Sequence, residues 1–154
     1  MKINTRLFGE VDIADDKVLH FANGIIGLEN LKQFVLIYDS EKEDGGVITW
    51  LQSVDEKDFA LPIINPNYII EGYNPIVEDE LLAPLGVLEP DKLMVFTVLR
   101  VPSDITKMTA NLKAPIVIHL ETKEACQIVV QNEEYEVKHP VYEALKVAKE
   151  RVGD

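Results

Sequence analysis

The sequence predicts an all-β fold, mainly antiparallel: a small β-barrel or sandwich of short strands, with a short acidic helix near 78–83 and a C-terminal amphipathic helix. Three observations predict it. Short runs rich in β-branched and aromatic residues are separated by turn dipeptides such as Asn23-Gly24. The sequence contains no internal repeat or linker. From Pro140 onward the apolar residues follow a helical period instead of an alternating one.

In the first half of the chain, short apolar runs punctuated by turn residues predict strands joined as hairpins. The acidic loop that ends in Gly45-Gly46 suits an exposed hairpin tip, which would display Glu41, Glu43 and Asp44. The predicted strands are Lys2–Leu7, Val11–Ile13, Val18–Phe21, Phe34–Tyr38, Val47–Leu51 and Phe59–Ile64.

The second half mixes strands with two helical signals. Tyr68–Tyr73 is expected to be extended before Asn74-Pro75. Glu78-Asp79-Glu80 would lie in the first turn of the short acidic helix, where carboxylates complement the helix dipole, and Pro84 and Gly86 would end it. The remaining predicted strands are Leu93–Val101, Pro115–Leu120 and Cys126–Val130.

The C-terminal helix is expected at about 140–152, because Val141, Leu145, Ala148 and Val152 are spaced by four, three and four residues. Apolar residues at that spacing lie on one helix face. Pro140 suits the first turn of such a helix.

The length of 154 residues predicts a single β-rich domain over 1–154. The N-terminus lacks the apolar region of a secretory signal, and no apolar run approaches the length of a membrane span, so we expect a cytoplasmic protein without membrane contact. The single cysteine, Cys126, lies in a strand-like run and is expected to be a small buried apolar residue rather than a nucleophile. A free protein of this kind is expected to be monomeric.

The net charge of -12 is concentrated in one part of the sequence. Residues 39–91 contain thirteen acids, opposed only by Lys42 and Lys57, and carry a net charge of -11. Such a field disfavours direct binding to nucleic acid, which depends on Lys and Arg, and it would steer a basic protein partner toward the chain. A solvated surface that only aids solubility explains the same charge equally well.

The sequence offers no catalytic residues, no cofactor site and no metal site, so we do not expect an enzyme. The three histidines are far apart, and the serines lack a nucleophile motif. The alternation of Asp39, Glu41 and Glu43 resembles a calcium loop, but position six is Asp44 instead of glycine and position twelve is Trp50 instead of glutamate. Carboxylates such as Asp55 and Asp58 would suit acid-base work only if a pocket brought them together.

Taken in order, several strings of the sequence are similar to one protein family. They are Gly24-Ile25-Ile26-Gly27-Leu28-Glu29, Trp50-Leu51-Gln52-Ser53, Phe59-Ala60-Leu61-Pro62-Ile63-Ile64-Asn65-Pro66, Asn111-Leu112-Lys113-Ala114-Pro115-Ile116-Val117 and the region Gln127–Tyr135. In this order and spacing the chain resembles the FliW family of flagellar assembly factors over nearly its whole length. Most of the apolar residues in these strings are also explained simply as core residues.

The resemblance implies a regulator with two competing protein partners. One is the RNA-binding translational regulator CsrA, whose repression of flagellin mRNA it would antagonise, and the other is flagellin, which would sequester it. Glu71, Glu78, Asp79 and Glu80 are the predicted partner-binding acids. Gln52, Ser53 and Asn111 are further candidates, although local turn or cap hydrogen bonds explain them equally well. The alternatives are a chaperone or carrier of flagellin alone and, from another class, a carboxylate-based hydrolase.

Overall fold

The structure, a computed structural model, describes residues 1–38, 47–86 and 89–153, with side chains up to residue 147. The predicted hairpin tip at Glu41, Glu43 and Asp44 lies outside these residues. The strands are β1 (Lys2–Thr5), β2 (Gly9–Asp12), β3 (Leu19–Phe21), β4 (Gln33–Tyr38), β5 (Ile48–Ser53), β6 (Ala60–Ile64), β7 (Leu93–Arg100), β8 (Thr109–His119), β9 (Glu124–Gln127) and β10 (His139–Pro140). The helix α1 spans Tyr142–Gly153. Short 3-10 helices lie at Asp15–Lys17, Pro66–Tyr68, Asp79–Leu85, Pro90–Lys92 and Ile105–Lys107.

Within the described residues, seven strands form a closed barrel, in the order β8, β7, β6, β5, β4, β3 and β9. The pairing of β9 with β8, at Val117 opposite Cys126, closes the ring. Neighbouring strands are antiparallel except β3 and β9, which run parallel. The all-β prediction is confirmed, and of its two architectures the barrel is the one formed. Closure removes the two long edges that an open sheet would expose.

Aromatic and aliphatic side chains from every wall fill the barrel. Phe34 of β4 is fully buried, and its ring lies edge-on to Phe21 at 5.2 Å and to Phe59 at 6.2 Å between centroids. Leu51 and Ile63, from the next two strands, are also fully buried in this cluster. Burying such side chains contributes roughly 1.5–3 kcal/mol each, so the interior is the main source of stability.

Two elements pack on the outside of the barrel near the chain termini. The β1–β2 hairpin places Ile3 and Val11 against Val35 on the outer face of β4. The C-terminal helix α1 begins directly after Val141, which is buried together with Leu145 against the β6–β7–β8 wall. The predicted amphipathic helix is confirmed, because these residues four apart lie on one face. It begins at Tyr142, however, and Pro140 lies in β10 instead of in its first turn.

The segment Tyr68–Tyr73 differs from its predicted extended form. The Asn65 side chain accepts a hydrogen bond from the Asn67 N–H, and Pro66 begins a 3-10 helix that ends at Tyr68. A turn with Gly72 at φ +68° follows. The asparagine cap and the proline together favour a tight turn over a strand. The acidic helix is a 3-10 helix with Pro84 inside it and Gly86 after it, since proline removes a donor that an α-helix would use.

Candidate partner-binding surface

The connection between β6 and β7 crosses the outer face of the barrel. We call its described part, residues 65–86, the acidic cover. Its apolar side chains face inward: Leu85 is fully buried against Val117, Cys126 and Ile128, and Val77 packs on the same cluster. The cover is therefore attached to the barrel wall formed by β7, β8 and β9.

One buried asparagine fixes the course of the cover. The Asn132 side chain accepts a hydrogen bond from the Ile76 N–H at 2.6 Å and donates to the Asn74 carbonyl at 3.0 Å. It also donates to a carboxylate oxygen of Glu134 at 3.1 Å. Asn132 is only 5% exposed. The Asn132 amide thus bonds one N–H and one carbonyl of the cover backbone, which is not paired with a strand at this point.

A pair of tyrosines strengthens the same attachment. Tyr73 donates its hydroxyl hydrogen to the Leu112 carbonyl at 2.6 Å, and Tyr135 accepts a hydrogen bond from the Asn74 N–H at 2.7 Å. Their ring centroids lie 4.7 Å apart. Burial raises the pKa of Tyr73 above its ordinary value, so this hydroxyl stays protonated and keeps its bond.

The outer surface of the cover carries the predicted acids. Glu71, Glu78, Asp79 and Glu80 are all exposed. Glu78 accepts a hydrogen bond from the Gln131 amide at 3.2 Å, which places the start of the Asp79–Leu85 helix beside residue 131. Glu71 lies nearer the other end of the cover, two residues after Ile69, which packs below α1. The structure thus distributes these four acids along one cover.

The acids of residues 47–91 fall into two groups in the fold. Asp55, Glu56 and Asp58 lie on the β5–β6 turn, whereas the other six belong to the β6–β7 connection. All nine are exposed, and none of them takes part in the ion pairs found among the described residues. Lys57 is the single basic residue of residues 47–91. Both groups therefore project negative charge into solvent.

Gln52 and Ser53 are buried at the end of β5 and hold the β5–β6 turn. The Gln52 Nε2 donates to the carbonyls of Ser53, Lys57 and Phe59 at 3.0–3.2 Å, and the Ser53 Oγ accepts from the Glu56 N–H at 2.9 Å. Both residues are fully buried. These bonds give the two side chains a local role, and their contact with a partner stays a prediction.

Asn111 holds an irregular part of β8. Its Oδ1 accepts hydrogen bonds from the N–H groups of Lys113 at 3.1 Å and Ala114 at 3.0 Å. The register of β7 against β8 shifts between Phe96 and Val98, opposite this region. A partner role for Asn111 likewise stays a prediction, since the side chain already satisfies a bulged backbone.

The family-like strings that are far apart in sequence meet at one end of the barrel. The Gln127 side chain accepts a hydrogen bond from the Ile26 N–H at 3.0 Å and donates to the Ala114 carbonyl at 3.0 Å. Gly24 has φ +68°, and a Cβ placed there would lie 2.5 Å from the Cα of Glu29. Only glycine fits such an approach. Gln127, Asn132 and Tyr135 belong to one of these strings but are not among the site residues predicted from the sequence, because their partners lie 56 to 101 residues away.

The opposite mouth of the barrel contains a cavity of about 460 Å³ with an apolar lining that includes Leu19, Met94 and Ile118. Of its described lining residues, Asp12 alone carries a carboxylate, and this carboxylate lies 3.5 Å from the N-terminal ammonium. A glycosidase-type mechanism requires two carboxylates on either side of the substrate. The cavity does not provide that pair.

Cys126 and His119 have structural surroundings. Burial raises the pKa of the Cys126 thiol to about 11, which disfavours the reactive thiolate. The His119 Nδ1 accepts hydrogen bonds from the N–H groups of Glu121 and Thr122 and so organises the β8–β9 turn. Across the residues described, no three His, Cys, Asp or Glu side chains are grouped to hold a metal ion. No helix in that part of the chain has both the length and the apolar composition needed to cross a membrane.

The fold and the surface define a class: a small seven-stranded β-barrel protein with an exposed acidic cover. Comparison with known proteins gives the family. The family model described as FliW protein matches residues 2–141. The chain is 50% identical over 143 residues to the flagellar assembly factor FliW of Lachnoclostridium phytofermentans, which covers 93% of this chain and 92% of the relative.

A second relative and a solved structure agree with this result. Identity to the flagellar assembly factor FliW of Lachnospira eligens is 47% over 147 residues, with 95% of this chain and 97% of that relative covered. A crystal structure of the flagellar assembly factor FliW superposes with a TM-score of 0.81 at 29% identity, covering 91% of this chain and 96% of the other. The chain belongs to the FliW family.

Proposed function

We propose that this chain is a flagellar assembly factor that acts by binding proteins: it binds a CsrA-type regulator in the cytoplasm, antagonises repression of flagellin mRNA, and is itself sequestered by flagellin. The observation that carries the proposal is the exposed acidity of the cover, which forms no ion pair with any residue that the structure describes, in a chain of the FliW family. Accumulated flagellin would occupy the protein, and export of flagellin would release it.

The acidic cover supplies a physical mechanism for the antagonism. An RNA-binding protein presents lysine and arginine to phosphates, and the carboxylates of the cover attract the same groups. Docked beside the RNA-binding groove, the cover would repel phosphates and lower RNA affinity without filling the groove. The acids themselves make no direct nucleic-acid contact in this scheme.

The structure offers a matched pair of variants for testing this mechanism. One removes three charges from the cover (Glu78→Gln, Asp79→Asn and Glu80→Gln), and the control removes three from the β5–β6 turn (Asp55→Asn, Glu56→Gln and Asp58→Asn). Both change the net charge equally, and glutamine at 78 keeps an acceptor for Gln131. Glu71→Gln, made alone, tests the other end of the cover.

We expect the cover variant to associate with a CsrA-type regulator roughly tenfold more slowly at low salt, and to displace its RNA less effectively. The control variant should stay within about twofold of the parent, because its three acids lie on a different part of the fold. Surface plasmon resonance and an RNA-displacement titration measure both quantities. Equal losses in the two variants would show that only net charge matters, and unchanged values in both would refute the mechanism.

A translation assay in the presence of the CsrA-type regulator distinguishes the alternative function, a flagellin carrier, from this proposal. A carrier binds flagellin but leaves translation of flagellin mRNA unaffected in the presence of the CsrA-type regulator, whereas the proposed antagonist restores that translation. Size-exclusion co-elution of the chain with each partner, separately and then mixed, establishes both contacts. Failure of both partners to co-elute at micromolar concentrations would refute the partner switch.

A further inference from the structure

The chain continues beyond β9 as an extended segment, Gln127–Gln131, along the first part of β8. The Ile128 N–H donates to the Pro115 carbonyl at 3.1 Å, and the Val130 N–H donates to the Lys113 carbonyl at 2.9 Å. Ile128 and Val130 are buried, whereas Val129 between them is 53% exposed. The segment therefore has one paired edge and one outward side chain.

The backbone of Val129 lies on the unpaired side. Because residues 128 and 130 direct their amides toward β8, the N–H and C=O of Val129 point the other way. No hydrogen-bond partner for either group is present in the described part of the protein. The strand that flanks β9 on that side, β3, ends its pairing with Phe21 opposite Ala125. The sheet is thus locally open at residue 129.

Three exposed aliphatic side chains lie along this segment: Ile26, Ile76 and Val129 are each 53% exposed. Ile26 is bonded through its N–H to the Gln127 side chain at 3.0 Å, at the start of the segment. Ile76 is bonded through its carbonyl to the Gln131 N–H at 2.8 Å, at the end. We call these three residues, with the backbone of Val129, the open edge.

Carboxylates lie at both ends of the open edge. Glu29 accepts a hydrogen bond from the Gly27 N–H at 3.3 Å, next to Ile26. Glu78 accepts from the Gln131 side chain at 3.2 Å, next to Ile76. An apolar stretch with an acid at each end is complementary to an apolar strand with a basic residue at each end.

We propose that the open edge binds an extended segment of another protein, apolar at alternate positions and basic at both ends, by β-strand addition. The unpaired N–H and C=O of Val129 select an extended backbone, because the backbone groups of a helix are already bonded within it. Ile26 and Ile76 select the apolar positions. A second copy of this chain is a poor occupant, since two copies with a net charge of -12 each repel. The inference does not depend on which partner the acidic cover binds.

Amide exchange measured by NMR tests this directly. The probe is a synthetic seven-residue peptide of alternating isoleucine and threonine with lysine at both ends. In the free protein we expect the Val129 amide to exchange at least tenfold faster than the amides of Ile128 and Val130. Saturating peptide should slow the Val129 amide at least tenfold. The same peptide N-methylated on one edge should give no protection, because it lacks the donors that a strand pairing requires.

A matched pair of valine variants locates the site. Val129→Asp should abolish the protection, whereas Val137→Asp, at a valine that is 57% exposed elsewhere on the surface, should retain it. Circular dichroism checks that both variants fold, and the N-methylated peptide tests the proposal without any substitution. The proposal is overturned if the Val129 amide is already protected in dilute free protein, if the N-methylated peptide protects equally, or if protection arises with protein concentration alone, which would assign the edge to a second copy.

Discussion

The barrel interior and the acidic cover are held by different kinds of contact. In the interior, Phe34 touches aromatic rings on two sides and is fully buried, and paired strands surround it. The cover lacks a strand of its own in residues 65–86, and it depends on Asn132, Tyr135 and a few apolar side chains. Packing of apolar area is non-directional and large, whereas each hydrogen bond contributes only about 1 kcal/mol net.

This difference separates the main source of stability from the surface that carries the exposed acids. Packing in the barrel supplies most of the free energy of folding. The charged outer surface of the cover contributes little to it. Charge on the cover is therefore free to change with little loss of stability, while a change at one attachment point should release the cover locally. Three measurements test this contrast, in decreasing order of expected effect.

The largest effect is expected from Phe34→Ala in the barrel interior. Removing a fully buried ring leaves a cavity, and such changes cost about 3–5 kcal/mol. Chemical denaturation followed by circular dichroism measures the free energy of unfolding. The control is Phe8→Ala, since Phe8 lies outside the barrel, half-buried, with its ring 6.2 Å from that of Trp50. An equal loss in the two variants would contradict the dominance of the interior.

An intermediate and local effect is expected from Asn132→Ala. The change leaves the Ile76 N–H without its acceptor and the Asn74 carbonyl without its donor, which costs roughly 1–3 kcal/mol when such groups stay buried. Cys126 lies beneath the cover, next to Leu85. Its pKa is raised from 9.0 to about 11, so its thiol should label slowly at pH 8 in the parent protein.

In Asn132→Ala the labelling rate of Cys126 should rise at least fivefold, as about 1 kcal/mol of eased opening predicts. Asn4→Ala, at an exposed asparagine of β1, serves as the control and should leave the rate unchanged. The measurement is the rate of reaction with iodoacetamide, compared with global unfolding in denaturant. If labelling accelerates only in proportion to the loss of global stability, the cover does not open as a separate unit.

The sequence predicts the two regions unequally well. Runs of β-branched and aromatic residues place β4 and β7 within one residue at each end, because such side chains fit a pleated, half-buried strand. The first part of β8 was not predicted: residues such as Asn111 and Lys113 resemble a turn, and the side chain of Asn111 in fact satisfies a bulge. The local sequence pattern therefore predicts the regular strands but not the irregular first part of β8.

The candidate surface depends on contacts that no local pattern contains. Exposure of Glu78 follows from its charge, but the position of the cover depends on Asn132, 56 residues from Ile76. The sequence pattern does not predict the burial of Gln52 either. Its amide bonds the Lys57 carbonyl, and that carbonyl also accepts the Arg6 N–H from the N-terminal hairpin. The position of the cover and the burial of Gln52 both depend on tertiary packing between distant segments.

The smallest effect is expected where the β6–β7 connection returns to the barrel. The Lys92 ammonium lies 3.0 Å from a carboxylate oxygen of Glu121 on the β8–β9 turn, and this hydrogen bond holds the pKa of Glu121 below its ordinary value. In Lys92→Ala the pKa of Glu121 should rise toward that value, measured by NMR titration. Lys107→Ala, at an exposed lysine elsewhere on the surface, is the control and should leave the pKa of Glu121 unchanged.

The sign of the pH dependence follows from the lowered pKa. A carboxylate whose pKa is lower in the folded than in the unfolded state stabilises the fold above the unfolded pKa, and that contribution is lost as pH falls through the folded pKa. The difference in stability between parent and Lys92→Ala should therefore be present at neutral pH and vanish in acid. It should also be small, because both charged groups are accessible to solvent and the Leu120 N–H already donates to the Lys92 carbonyl at 2.8 Å. A loss comparable to that of Phe34→Ala would contradict the dominance of the interior in the stability of the barrel.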